Sequence, residues 1–240
     1  QAQLSEYLLS QDLPLWMDST GAGPDTSLVG NIMERGFGHS PYGNRFQSVC
    51  GMRIVLANGD VLNTGFDHFP TAVNQRVFPY GLGPFLDGLF TQSNLGIVTS
   101  LGFWLMPQTQ VVSHLVAIVS RFEDIAAVVD ALRPLRMDGT LSSVVHIGND
   151  LRVLSGGTVF PHALAPQGPP LPAQLRASLC QRAGIGAWTV SAALYGRSAQ
   201  VADARSALRK AIAKFARLRF IDERALSLGS AAARMLGPGS

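Results

Sequence analysis

The length and composition of the chain fit a folded protein with one large domain or two ordinary ones. It has 240 residues, of which 47% are hydrophobic and 15% charged. This is enough apolar material for a sizeable core, and it excludes a disordered chain. The net charge is only +3, and the two lysines are Lys210 and Lys214. Such weak, scattered charge excludes the basic surface of a nucleic-acid-binding protein.

The cysteines and the apolar runs suggest no metal centre and no membrane span. Cys50 and Cys180 are far apart in the sequence and form no CxxC motif, so we expect two free, buried thiols. No apolar run approaches the ~20 residues of a membrane helix. The chain opens at Gln1 inside a helical pattern, so we expect the natural start to lie upstream. The sequence gives no indication of the compartment.

The first predicted domain covers residues 1–107. Its expected helices and strands are 3–11 (helix), 15–17 (strand), 48–56 (strand), 60–64 (strand), 84–92 (helix) and 96–106 (buried strand). Residues 67–80 are predicted to form an irregular loop. Asn58-Gly59 between two apolar runs predicts a β-hairpin, because both turn positions favour positive φ.

The second predicted domain covers residues 108–240. Strands are expected at 111–120, 141–147, 187–195 and 219–221, and helices at 123–136, 173–182 and 201–215. A proline-rich link occupies 162–172, and a further helix precedes Ser240. The pattern predicts an α+β domain with helices on one side of a sheet. We expect that sheet to be incomplete at Ser240.

A glycine-rich stretch, GNIMERGFGHSPYG, runs from Gly30 to Gly43. Glycines let a backbone approach a flat or phosphorylated ligand closely, and successive N–H groups can then donate to its oxygens. The same composition also fits a tight surface loop. Pro41 stands where GxGxxG would need its third glycine, so a Rossmann dinucleotide site has little support.

Several separated motifs carry a more specific signal. The stretch GNIMERGFGHSPYG resembles a segment of the vanillyl-alcohol oxidase and p-cresol methylhydroxylase family. So do CGMRIVLANGDVLNTG and PYGLGPFLDGLFTQSNLGIVTSLGFWLMP, and LRPLRM and AALYG are similar to motifs of the family's cap domain. The resemblance runs in order along nearly the whole chain.

The resemblance implies an α+β fold. Residues 1–107 would be the second part of a p-cresol methylhydroxylase-type FAD-binding domain, a mixed sheet with helices. Residues 108–240 would begin an antiparallel α+β cap domain that remains incomplete. The activity implied is FAD-dependent oxidation of a para-substituted phenol, with hydride passing from the benzylic carbon to flavin N5 and a quinone methide as product.

The resemblance also implies which residues bind the cofactor. The family's counterpart of the Ser27–Gly38 loop runs beside the flavin, the ribityl chain and the diphosphate. The family's strand that corresponds to residues 96–99 offers main-chain groups to FAD. The cofactor candidates are therefore Ser27, Gly30, Asn31, Arg35, Gly36, Gly38, Ile97 and Val98. The side chains of Ile97 and Val98 also fit a plain core strand, so only their main chain would bind.

Glu34 is the catalytic candidate. The family usually has aspartate here, close to flavin N5 and to the reacting carbon, so Glu34 is a departure. A carboxylate that loses hydration against a flavin suits a proton relay near neutral pH. The alternative is a surface glutamate beside Arg35. His39, where tyrosine is usual, is a second departure and fits a hydrogen-bonded structural histidine.

Parts of the family's site have no counterpart in this sequence. The phenolate-binding tyrosines and arginine, the covalent flavin anchor and the first diphosphate loop do not map onto its residues. We therefore expect the middle half of a family member. The partners implied are a phenolic substrate and a cytochrome or oxygen as electron acceptor, and a homo-oligomer is left open. The alternatives are a flavoprotein of this fold acting on hydroxy acids or lactones, and a non-catalytic fragment without flavin.

Overall fold

The computed structural model describes residues 1–222. Its chain divides into two compact units, the first spanning Gln1–Gln108 and the second beginning at Thr109. No helix within residues 1–222 is both long and apolar enough to cross a membrane. The helix predicted near Ser240 lies outside the described residues.

An antiparallel sheet of three strands, ordered β3-β2-β4, forms the centre of the first unit. A separate antiparallel pair joins β1 to β5. The elements in chain order are α1 (Ala2–Ser10), β1 (Leu15–Trp16), α2 (Leu28–Met33), β2 (Val49–Leu56), β3 (Val61–Asn63), β4 (Gly96–Phe103) and β5 (Met106–Pro107). Every strand pair described in this unit is antiparallel, whereas the resemblance implies a mixed sheet.

The hairpin predicted at Asn58-Gly59 is confirmed. β2 and β3 pair antiparallel, with Ile54 opposite Leu62. Gly59 has a φ of +89°, which a residue without Cβ adopts readily. The side chain of Asn58 accepts a bond from the Asp60 main-chain nitrogen at 3.1 Å. The turn is therefore fixed by its own local chemistry.

Two predictions for the segment 84–106 are wrong. The expected buried strand is an edge strand that pairs only with β2 among the described residues. Its Ile97 is 73% exposed, because alternate side chains of a strand point to opposite faces. The expected helix at 84–92 is a single 3₁₀ turn, Asp87–Phe90. Gly88 lies inside that turn, where glycine disfavours a longer helix.

The core of the first unit fixes α2 beside β4. Ile32 of α2, together with Met52 and Ile54 of β2, is fully buried. Val98 and Leu101 of β4 pack against this cluster. Burying side chains of this size stabilises the arrangement by roughly 1.5–3 kcal/mol each. Segments more than 60 residues apart are thereby held together.

A buried ion pair ties the glycine-rich stretch to the rest of the first unit. The side chains of Arg45 and Asp18 are 2% and 4% exposed, with Nε 3.2 Å from Oδ2. Arg45 also donates to the Asp18 carbonyl at 2.5 Å and to Asn31 Oδ1 at 2.6 Å. Asp18 Oδ1 accepts a bond from the Ser40 main-chain nitrogen at 2.8 Å. The end of β1, the helix α2 and the glycine-rich stretch are therefore joined by one network around the Arg45–Asp18 ion pair.

The second unit is an antiparallel sheet of four strands, ordered β7-β8-β6-β9, with four helices among its described residues. The elements in chain order are β6 (Val111–Val119), α3 (Ile125–Met137), β7 (His146–Asn149), α4 (Asp150–Gly157), α5 (Ala173–Ala183), β8 (Trp188–Gly196), α6 (Ser198–Ile212) and β9 (Ala216–Asp222). The predicted α+β character is confirmed.

One face of this sheet forms the core of the second unit. Leu115 and Ala117 of β6 lie opposite Ala192 and Val190 of β8, and all four are buried. Side chains of α3 and α6 pack on the same cluster, through Val128, Leu132, Val201, Leu208 and Ile212. The alternating burial of β6 is typical of an antiparallel sheet with one covered face.

The strand predicted at 141–147 is wrong in its bounds, and α4 was not predicted. Leu141 is fully buried, but its carbonyl accepts a bond from the Arg136 side chain at 2.8 Å. That carbonyl is therefore satisfied outside any strand ladder, and β7 begins only at His146. α4 follows at once because Asn149 Oδ1 accepts the Arg152 main-chain N–H at 2.9 Å. This bond is a typical helix N-cap.

We expect Arg45→Met to destabilise the first unit strongly. Removing one partner of a buried ion pair leaves the other charge uncompensated, which costs about 3–5 kcal/mol. Urea unfolding should show this loss, and Asp18→Asn combined with Arg45→Met should recover part of it. Arg53→Met, at an exposed position of β2, is the control and should change little. A double variant no more stable than Arg45→Met would contradict the assignment.

Asp87 introduces a pH dependence into the first unit. Asp87 is 1% exposed, and its Oδ2 has no hydrogen-bond partner among residues 1–222. Burial raises the pKa of the Asp87 carboxyl, opposed by hydrogen bonds from the Thr64 side chain and the Gly51 main chain. A raised folded-state pKa favours folding at acid pH. That contribution is lost as the pH rises through the folded-state pKa.

Asp87→Asn should therefore flatten the pH dependence of stability and favour folding near neutral pH. Each unit of pKa shift corresponds to about 1.4 kcal/mol. The measurement is urea unfolding of parent and variant across a pH series. Asp60→Asn, in the exposed hairpin turn, should keep the parent's slope. The assignment fails if Asp87→Asn keeps that slope as well.

Candidate functional site

The glycine-rich stretch begins with a helix that was not predicted. Ser27 is the N-cap of α2, and its Oγ accepts the Gly30 main-chain N–H at 3.1 Å. Gly30 therefore lies inside a helix rather than in a loop. The available signal was a serine followed by apolar residues at helical spacing, Leu28, Ile32 and Met33. Ser27 and Gly30 are both exposed.

Gly36 and Gly38 leave room for the chain's own side chains. A Cβ on Gly38 would lie 1.4 Å from Asp18 Oδ2, and one on Gly36 would lie 2.2 Å from Asn31 Nδ2. Both glycines are therefore required by the Asp18–Arg45–Asn31 network. They do not outline an empty cradle for a phosphate. Their assignment to the cofactor stays a prediction.

β4 is an edge strand, and one edge of it leaves main-chain groups without a strand partner among the described residues. The Ile97 side chain is exposed on one face of the sheet, while the Val98 side chain packs on the core at the other. An uncovered strand edge readily accepts hydrogen bonds from an added group. The use of the main chain at Ile97 and Val98 by a cofactor stays a prediction.

Hydrogen bonds join the end of α2 to the segment before β4. Gln92 donates through its main-chain nitrogen to the Met33 carbonyl at 2.9 Å and through Nε2 to the Glu34 carbonyl at 3.3 Å. Arg35 Nε and Nη2 donate to Thr91 Oγ1 at 3.1 and 3.0 Å. The structure thus brings Glu34 and Arg35 close to the beginning of β4.

Glu34 combines a fixed main chain with a free carboxylate. Its main-chain nitrogen donates to the Gly30 carbonyl at 3.0 Å. Its side chain is exposed, and the carboxylate has no hydrogen bond or ion pair within residues 1–222. Chemically, such a group can accept or donate a proton at a ligand placed beside α2. The side chain of Arg35, in contrast, is engaged by Thr91.

The two cap motifs are largely structural. LRPLRM, residues 132–137, ends α3, and AALYG, residues 192–196, ends β8. Leu132, Ala192 and Leu194 all belong to the core of the second unit. Within the described residues, no group of three or more His, Cys, Asp or Glu side chains could hold a metal ion.

No family model matches the chain, but individual proteins do. It is 39% identical to the 4-cresol dehydrogenase [hydroxylating] flavoprotein subunit of Pseudomonas putida over 199 residues, which are 83% of this chain and 38% of that protein. It is also 39% identical to 1'-carboxy-chondrochloren decarboxylase of Chondromyces crocatus over 228 residues, 93% of this chain and 42% of that protein.

A solved structure agrees with these relatives. The crystal structure of p-cresol methylhydroxylase with substrate bound superposes with a TM-score of 0.87 at 36% identity, covering 91% of this chain and 43% of that one. The chain thus spans about two fifths of the length of the relatives it matches. On sequence and fold together, the chain matches a part of the flavoproteins of the vanillyl-alcohol oxidase and p-cresol methylhydroxylase family.

Proposed function

We propose that this protein uses FAD to oxidise a para-substituted phenol at its benzylic carbon. The observation that carries the proposal is the link between Met33–Arg35 and Thr91–Gln92. It ties the main chain of Glu34 to the segment that leads into β4, and the side chain of Glu34 is exposed. The names of the relatives, 4-cresol dehydrogenase and p-cresol methylhydroxylase, support a phenolic substrate.

In this proposal FAD, when bound, supplies a two-electron acceptor. The substrate loses a hydride from its benzylic carbon and its phenolic proton, and it becomes a quinone methide to which water can add. Main-chain groups at Ile97 and Val98 would orient the cofactor, with Ser27, Gly30 and Asn31 on α2 nearby. Beside the reacting carbon, the carboxylate of Glu34 would stabilise the positive charge that develops as the hydride leaves, and it would then take the proton released when water adds to the quinone methide.

Two assays test the function itself. Anaerobic addition of a 4-alkylphenol to the FAD-loaded protein should bleach the oxidised flavin band, and lactate should leave it unchanged. Bleaching by lactate alone would favour the hydroxy-acid alternative. Protein that stays colourless after FAD is added would favour a non-catalytic fragment. Reduction of cytochrome c or consumption of oxygen then identifies the electron acceptor.

Glu34→Gln should slow flavin reduction by roughly 10²-fold or more, the range for loss of one group that stabilises charge developing in the transition state. Stopped-flow reduction by a 4-alkylphenol measures this rate. Glu6→Gln, on the exposed face of α1, is the matched control and should reduce at the parent rate. Near-parental reduction by Glu34→Gln would remove Glu34 from the chemistry.

The second relative favours one further candidate, an oxidation coupled to loss of a carboxyl group. The relative named as a decarboxylase aligns over more of this chain than the dehydrogenase does, at the same identity. A para-hydroxyphenyl substrate with a benzylic carboxylate separates the two reactions. Release of carbon dioxide with flavin reduction would indicate decarboxylation.

A further inference from the structure

Two of the four non-glycine residues with a left-handed backbone in the first unit lie at the link between α2 and the segment before β4. Arg35 has a φ of +52° and Gln92 a φ of +50°; Asp12 and Arg76 are the other non-glycine residues of positive φ among residues 1–222. A side chain in this region costs about 1–2 kcal/mol, which glycine avoids. The side chains at 35 and 92 are therefore retained against a backbone preference.

Each of these two side chains reaches the segment that carries the other. Arg35 donates twice to Thr91 Oγ1, and Gln92 Nε2 donates to the Glu34 carbonyl. Glycine at either position would satisfy φ but would lose the side-chain bond, although glycine at 92 would keep the main-chain bond to the Met33 carbonyl. We call Arg35, Thr91 and Gln92 the clamp. At both ends of the clamp, Arg35 and Gln92, a residue with a left-handed backbone also carries the side chain that bonds to the opposite segment.

The clamp is anchored in the interior of the first unit. Thr91 is 4% exposed, and its hydroxyl also donates to the Gly88 carbonyl at 3.0 Å. One hydroxyl thus accepts from Arg35 and donates to the 3₁₀ turn before β4. Glu34 is held on both sides, by its own N–H to Gly30 and by its carbonyl to Gln92. Only its side chain remains free to move.

We propose that Arg35, Thr91 and Gln92 are positioning residues for Glu34. They hold the Glu34 main chain at one place beside β4, so that its carboxylate starts from a defined point. This inference rests on the proposed function, in which Glu34 acts at the reacting carbon. A misplacement of about 1 Å at such a group can lower a rate by about 100-fold.

Gln92→Gly separates positioning from stability. Glycine relieves the backbone preference at 92, so the melting temperature should stay the same or rise. The crossing bond to Glu34 is lost, so flavin reduction by a 4-alkylphenol should slow by roughly 10- to 100-fold. The dissociation constant of the phenol should remain unchanged. Hydrogen exchange of the 33–35 amides should accelerate in the protein without FAD as well.

Two comparisons make the test specific. Thr91→Val removes the hydroxyl and should slow reduction, whereas Thr91→Ser keeps the hydroxyl and should restore the parental rate. Asp12 also has a left-handed backbone, with a φ of +49°, but it is not part of the clamp. Asp12→Gly relieves the same backbone preference and therefore serves as the control. It should leave the reduction rate unchanged.

The outcomes distinguish the two proposals. If the parent is reduced by the phenol and both Gln92→Gly and Thr91→Val reduce at its rate, the positioning role is overturned and the proposed function stands. If the FAD-loaded parent is not reduced, the proposed function fails and the positioning role falls with it. Slow variants with parental melting temperature and parental phenol affinity would establish the positioning role.

Discussion

The buried guanidinium of Arg45 is the constraint on which the first unit depends. A charge with almost no exposure is tolerated only when its partners are held in place, because its lost hydration amounts to several kcal/mol. Those partners are Asp18 after β1 and Asn31 in α2. Asp18 in turn holds the main chain of Ser40. The helix end that carries Glu34 is therefore set by a charge network away from its exposed face.

This constraint explains the glycines that first suggest a ligand loop. Gly36 and Gly38 exclude a Cβ because Asn31 and Asp18 occupy that space. The inner side of the stretch is thus filled by the chain itself. On its outer side Ser27 and Gly30 are exposed, and the proposed cofactor contacts lie there. These glycines are therefore explained first by close packing against side chains of the same chain, and only second by a ligand.

Features set by residues a few positions apart could be predicted from the sequence, whereas features set by contacts between distant segments could not. The Asn58-Gly59 turn and the alternating strand β6 follow from residues a few positions apart, so both were predictable. The burial of β4 depends on which strands lie beside it, which no local pattern records. The link between Arg35 and Thr91 spans 56 residues, and neither residue belongs to a recognised spacing. The family resemblance identified the segments of the candidate site, but their contacts came only from the fold.

The first unit uses two different solutions where the backbone is restricted. Where space is short, as at Gly38, it omits the side chain. Where a bond must cross to another segment, as at Gln92, it keeps the side chain and accepts an unfavourable φ. With the main chain of Glu34 fixed in this way, its extra methylene relative to aspartate is not absorbed by a backbone shift. The carboxylate then reaches about 1.5 Å further, by ordinary bond lengths, so its reach follows from the side chain alone.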